Sequence, residues 1–297
     1  MANPIFSGVS TYVDENRELI YGKIMLNIPF VDRFGAEPTD AKGGKIAINK
    51  LTTQPVFGDG TVCGVQAGTA TISQRKIELA SLQTATPYCA KALYPYFAGL
   101  KIRLGANVEE SELAEAFTNA EVTKINEGLE KMIWQGTKSA TSCDGLLTIA
   151  KADGANKVTT GTTLYETVNA VRLAAAGAGL KKFIVAVPAD KYYALLDEMV
   201  AKNLYHMPVP TAQTTDVRTF VFPNSDIEVW GVEGLNTSNA VMAFEPDNAR
   251  YGYNEKEGIG DIKWAVDEVN DIAYLKTSEV LGVNFAFINE VFYADLA

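Results

Sequence analysis

Residues 35–86 set the tightest limit on what this chain can fold into. Seven of its 24 glycines (Gly35, Gly43, Gly44, Gly58, Gly60, Gly64 and Gly68) fall within one short stretch. Around them run β-branched, threonine-rich segments, Lys45-Ile-Ala-Ile-Asn-Lys-Leu-Thr-Thr and Gly68-Thr-Ala-Thr-Ile-Ser-Gln-Arg-Lys-Ile-Glu-Leu. This pattern predicts two strands joined by a long glycine-rich tip, with Asp59-Gly60 as turn residues. A continuous strand from Thr69 to Thr86, at ~3.3 Å per residue, spans ~60 Å. A compact domain of this chain length is only ~50 Å across. Such a hairpin cannot lie wholly on its own core, and an isolated hairpin is marginal in water. The expectation is that it rests on another subunit.

Charge is divided in a way that suits such a contact. The net charge is −10, which disfavours nucleic acid as the main partner. From Ala41 to Asn107, however, eight basic residues (Lys42, Lys45, Lys50, Arg75, Lys76, Lys91, Lys101, Arg103) face only Asp59 and Glu78, a net +6. The rest of the chain therefore carries −16, with eleven acids against three bases between Asp226 and Asp271. Opposite segments of this kind attract one another within a subunit or between neighbours.

The remaining sequence predicts a mixed α+β chain. Residues 1–40 read as an extended arm, because Pro4, Pro29 and Pro38 interrupt helices. A long helix is predicted over Val108–Gln135, with Glu109, Glu110 and Glu112 in its first turn and Gly136 as its stop. Leu113, Phe117, Ala120, Ile125, Leu129 and Met132 recur at roughly helical spacing along it. Thr163-Leu-Tyr-Glu166 is a capping box opening a helix that runs to Gly177 or Gly179. Lys182-Phe-Ile-Val-Ala-Val-Pro is a short buried strand feeding a helix over Ala189–Lys202. From Thr219 onward the pattern is β, including separate strands over Ile272–Lys276 and Val283–Ile288.

Nothing in this order carries catalytic chemistry. The composition, 47% hydrophobic and 21% charged, fits neither disorder nor a fibrous repeat. No apolar run reaches the ~18–20 residues of a membrane span. Met1 to Ser10 has no export pattern, so an intracellular site of synthesis is expected. Cys63, Cys89 and Cys143 are too few and scattered for a disulfide framework or zinc site. The single histidine, His206, follows a predicted helix end and is expected at a surface or cap. The pair Asp267-Glu268 points to opposite faces of a strand, and Asp247 is a turn residue. Cys143, beside Asp144, has no base near it in sequence. Gly177-Ala-Gly179 follows a helix and lacks the third glycine of a dinucleotide fingerprint. Arg250, Tyr251, Tyr253 and Trp264 could stack on a ligand, but core or interface packing is the expected role. No cofactor and no metal are expected.

The order of parts resembles the major capsid proteins of tailed bacteriophages, the Hong-Kong-97-type fold. The resemblance covers essentially the whole chain. Its most specific piece is Trp134-Gln-Gly136 followed by Asp144-Gly-Leu-Leu147, similar to the family's glycine-rich turn after its spine helix. The Phe183-Ile-Val-Ala-Val-Pro strand and the tail ending in Phe285-Ala-Phe-Ile add to it. The resemblance implies an N-terminal arm (1–40) and an extended hairpin loop (41–90). It further implies a peripheral domain with the spine helix (91–160), an axial α/β domain (161–240) and closing strands (241–297) that return to the peripheral and axial core. It implies self-assembly into hexamers and pentamers of an icosahedral, DNA-containing head, built in the host cytoplasm. Portal, scaffold or decoration proteins are further partners, DNA contact is non-specific, and no membrane is involved. Expected inter-subunit residues are Lys42, Lys45, Lys50, Gly58, Asp59, Gly60, Gly68, Arg75 and Lys76. An encapsulin-like compartment of the same fold, or an acidic β-rich adhesin or fibre, are the alternatives.

Overall fold

The computed structural model describes residues 4–17, 19–20, 23, 28, 30–31, 33–39, 45–54, 56, 69–89, 110–139, 142–204, 218–254, 263–267 and 272–296. Helices are α1 (Pro4–Glu15), α2 (Glu110–Gln135), α3 (Leu146–Ala152), α4 (Leu164–Gly177) and α5 (Ala189–Ala201). Early strands are β1 (Gly35–Thr39), β2 (Lys45–Gln54), β3 (Thr69–Glu78), β4 (Ala80–Cys89), β5 (Asn156–Lys157) and β6 (Ile184–Pro188). Later strands are β7 (Arg218–Val221), β8 (Glu228–Val232), β9 (Ala240–Phe244), β10 (Ala249–Asn254), β11 (Lys263–Asp267), β12 (Ile272–Phe285) and β13 (Phe292–Asp295).

A six-stranded sheet in the order β5-β13-β9-β6-β8-β7 is covered on both faces. β6 is buried at every position, as its unbroken apolar run requires. Val185 and Val187 pack with Val168 and Val171 of α4 and with Leu195 and Met199 of α5. Ile184 and Ala186 join the cluster containing Ile133 and Trp134 of α2. The predicted capping box is present: the Thr163 side chain accepts from the Glu166 backbone N–H, and the Glu166 carboxylate accepts from the Thr163 N–H.

A five-stranded sheet is organised by β12. β10 and β11 run antiparallel to it, and β4 pairs antiparallel with it from Ile272↔Cys89 to Leu281↔Ala80. β1 pairs parallel with β10. One strand thus replaces the two predicted over 272–288. The closing strands also divide between sheets, β10–β12 entering this one and β9 and β13 the six-stranded one.

Three further expectations are corrected. The arm is not wholly extended: Pro4 opens α1, where a missing N–H costs nothing in the first turn, although residues 35–39 are extended as the strand β1. The strand from Thr69 to Thr86 is not continuous, since Leu79 separates β3 from β4 and the two enter different sheets. On α2 the buried stripe is Phe117, Val122, Leu129 and Ile133, while Ala120 is exposed. At 26 residues α2 is about 39 Å long.

Candidate assembly surface

β2 and β3 form a separate two-stranded ribbon, in register from Lys45↔Glu78 to Gln54↔Thr69. Its base is anchored to its own chain. Ile48 and Ile77 are buried against Ala286, with Ile46, Leu79 and Phe287 packed around them. The ribbon crosses β12 at Gly282, where a Cβ would collide with the Glu78 carbonyl oxygen, so only glycine permits this approach. The Asn284 side-chain amide donates to the Lys76 carbonyl at 2.7 Å.

Ion pairs complete the anchor. The Arg75 guanidinium donates to Asp153 at 2.5 Å and to the Asn284 side-chain oxygen at 2.9 Å. The Glu78 carboxylate accepts from Lys45 at 2.5 Å and also from Lys138. Lys138, and then Lys45, holds the Glu78 carboxyl down to about 2. A cleft of about 550 Å³ lies beside this junction, lined by Lys45, Lys76, Glu78, Lys138, Asp144 and Asp153 among others. Its charges balance, which gives it no preference for an anion or a cation.

The partner side of this anchor comes from the turn after α2. Gly136 N–H donates to the Met132 carbonyl at 2.8 Å, and Gly145 N–H donates to the Gly136 carbonyl at 2.9 Å. A Cβ on Gly145 would sit 2.5 Å from the Gly136 nitrogen and 2.6 Å from the Trp134 carbonyl carbon. The Asp144 carboxylate accepts from the Lys138 backbone N–H at 2.8 Å, orienting the residue that reaches Glu78. The two-glycine pattern thus has a packing cause: it lets the chain double back on the end of α2, with Leu146 and Leu147 buried behind it.

The expected inter-subunit residues fall into three groups. Arg75, half-buried, and Lys45 are engaged within their own subunit. Lys76 is exposed, and Lys50 occupies a ribbon position opposite Ser73. Lys42, Gly58, Asp59, Gly60 and Gly68 lie outside the described residues, as does His206. The sequence reading missed Lys138, Asp153 and Asn284. They lie 60, 78 and 209 positions from their partners Glu78 and Arg75, and no local pattern links such positions.

The other candidates are occupied by packing. Tyr251 and Tyr253 stack at 5.9 Å, and Tyr251 meets Phe30 at 5.7 Å. Trp264 is buried against Tyr88 and Phe117. Burial pushes the Cys143 thiol up to about 11, the opposite of what a nucleophile needs. Among the described residues no group of three or more His, Cys, Asp or Glu side chains is placed to hold a metal ion.

Neither a scan of protein-family models nor a search of curated proteins returned a match. Solved structures do match, over nearly the whole chain. A structure from Gordonia phage Cozz superposes with a TM-score of 0.58 at 12% identity, over 91% of this chain and 86% of its own. The satellite phage P4 procapsid with its size-determination protein gives 0.57 at 9% identity, over 93% and 89%. The virus-like particle from Pyrococcus furiosus gives 0.54 at 11% identity, over 95% and 98%. The chain has the mixed α+β fold of these structures.

Proposed function

We propose that the protein is the major shell subunit of a tailed-phage-type icosahedral capsid. In this reading the six-stranded lobe is the axial domain. The five-stranded lobe is the peripheral domain, α2 is its spine, and the β2–β3 ribbon is the base of the extended loop. Copies associate through heterologous contacts, one patch meeting a different patch on the next copy, as hexamers and pentamers.

The observation that carries the reading is coverage. Structures of a procapsid and of a virus-like particle match 89% and 98% of their own lengths, so the likeness is to whole shell subunits and not to a shared fragment. A ribbon that leaves its own core after a short anchored base is a second support. The loop of residues 41–90, with Lys42, Lys50, Gly58, Asp59, Gly60, Gly68 and Lys76, reaches a neighbouring copy. Lys45 and Arg75 hold its base. An acidic subunit gives weak, non-specific contact with enclosed DNA.

Electron microscopy of the purified protein tests this. Closed, uniform particles are expected, and a monodisperse monomer across salt and concentration would overturn the reading. Contents separate the two shell types: double-stranded DNA marks a phage head, and a protein cargo marks an encapsulin-like compartment.

A further inference from the structure

The described residues of 28–34 belong to no helix or strand, yet they fill the junction where α2 and the two lobes meet. We propose that this segment is a detachable strap. Seated, it makes the two lobes one cooperative unit; it opens as a unit of its own while both sheets stay folded. The inference concerns the single subunit and is independent of the shell reading.

Side chains hold the strap in place. Within it the Val31 N–H donates to the Ile28 carbonyl at 2.9 Å, and the Arg33 N–H to the Phe30 carbonyl at 3.2 Å. These are local turn bonds that tie it to neither sheet. Ile28, Phe30 and Phe34 are nonetheless buried, Phe30 completely. The rings of Phe30 and Phe34 lie 4.3 Å apart and divide the junction between them. Phe30 meets Tyr251 of β10, in the five-stranded sheet, at 5.7 Å. Phe34 meets Trp230 of β8 at 5.9 Å and Phe244 of β9 at 5.7 Å, both in the six-stranded sheet. Each of the two rings also reaches Trp134 of α2 at 6.2 Å.

The ends of the strap show how it can leave. Arg33 lies over the Trp230 ring at 4.8 Å and pairs with Glu228 at 2.7 Å. Their side chains keep 24% and 37% of their surface exposed, so this latch sits at the edge of the junction. Directly after Phe34 the chain enters β1, the edge strand of its sheet, paired with β10. Strap and β1 can therefore come away together with every other described ladder intact. Segments with few backbone ties open in this way, at free energies below that of global unfolding.

Opening removes the wedge between the lobes. Trp134, Trp230, Phe244 and Tyr251 each lose a packed ring, and close-packed interiors do not refill such a space cheaply. What still joins the lobes is Phe244 against Phe285 at 5.3 Å, together with α2. That helix reaches both, with Phe117 against Trp264 and the Gln135 side-chain amide donating to the Asn236 carbonyl at 2.8 Å.

Native-state hydrogen exchange of the full-length chain, in urea below the unfolding transition, tests the opening. The β1 amides are expected to exchange through an opening at least about a hundredfold more frequent than the one that exposes β6, and much less dependent on urea. Arg33→Gln, which removes the latch, should make the β1 opening roughly tenfold more frequent. Calorimetry tests the coupling: wild type is expected to melt in one transition, and the double variant Phe30→Ala/Phe34→Ala in two. Three results would each overturn the strap: β1 amides that share the frequency and urea dependence of β6, an Arg33→Gln opening no faster than wild type, or a double variant that melts in one transition. The exchange measurement uses wild type alone, so it decides even where the double variant does not fold.

Discussion

Glu279 offers a stability test that depends only on the folded subunit. It lies on β12 opposite Leu82, 5% exposed, with Thr277 and Leu281 on the same side of the strand. Thr277 is already bonded to Thr84, and one Glu279 carboxylate oxygen has no hydrogen-bond partner. Burial alone pushes this carboxyl from its ordinary 4.5 up to about 7. The folded state therefore holds the proton more tightly than the unfolded chain does. Its contribution is full below pH 4.5 and is lost as pH rises towards 7. At about 1.4 kcal/mol per pH unit the whole loss is about 3 kcal/mol, of which about 2 falls between pH 5.5 and pH 8. Glu279→Gln keeps the shape and cannot ionise. Urea unfolding of unassembled subunits, followed by tryptophan fluorescence, should show the variant gaining about 2 kcal/mol on wild type over that interval. Other titrating groups are common to both proteins and cancel. Parallel pH profiles for the two would show that the carboxylate is not desolvated in the folded subunit, and the reasoning would fail.

Two further outcomes probe the turn that supports the ribbon. Gly145→Ala forces a methyl group against the Gly136 nitrogen and the Trp134 carbonyl carbon, and should destabilise the subunit by about 1–3 kcal/mol in urea. An unchanged midpoint would show that the turn has room to give. Cys143, buried with its thiol pushed up to about 11, should resist alkylation at pH 8 until the subunit unfolds, whereas exposed Cys89 reacts at once. Peptide mapping by mass spectrometry distinguishes them, and rapid labelling of Cys143 in folded protein would contradict its placement.

Local signals in the sequence translated well into local structure. The glutamates at the start of α2, Gly136 at its end, the Thr163–Glu166 capping box and the apolar run of β6 each depend on neighbours a few residues away. That β2 and β3 are strands was legible for the same reason, but their register, which pairs Lys45 with Glu78, was not. What stayed hidden depends on distant partners. β-branched, threonine-rich composition predicts that residues 69–86 are strand, but not that Leu79 divides them between a ribbon and a sheet, because that break is set by pairing with β12. Pro4 read as a helix breaker, although the first turn of a helix accepts it. Arg75 read as a surface cation available to a neighbour, and only the fold brings Asp153 and Asn284 to it.

A cryo-electron-microscopy reconstruction of the assembled protein tests the central claim most directly. The account predicts a closed shell in which the outer half of each β2–β3 ribbon lies on an adjacent copy. A ribbon folded back on its own subunit, or a preparation that yields no closed shell, would contradict it.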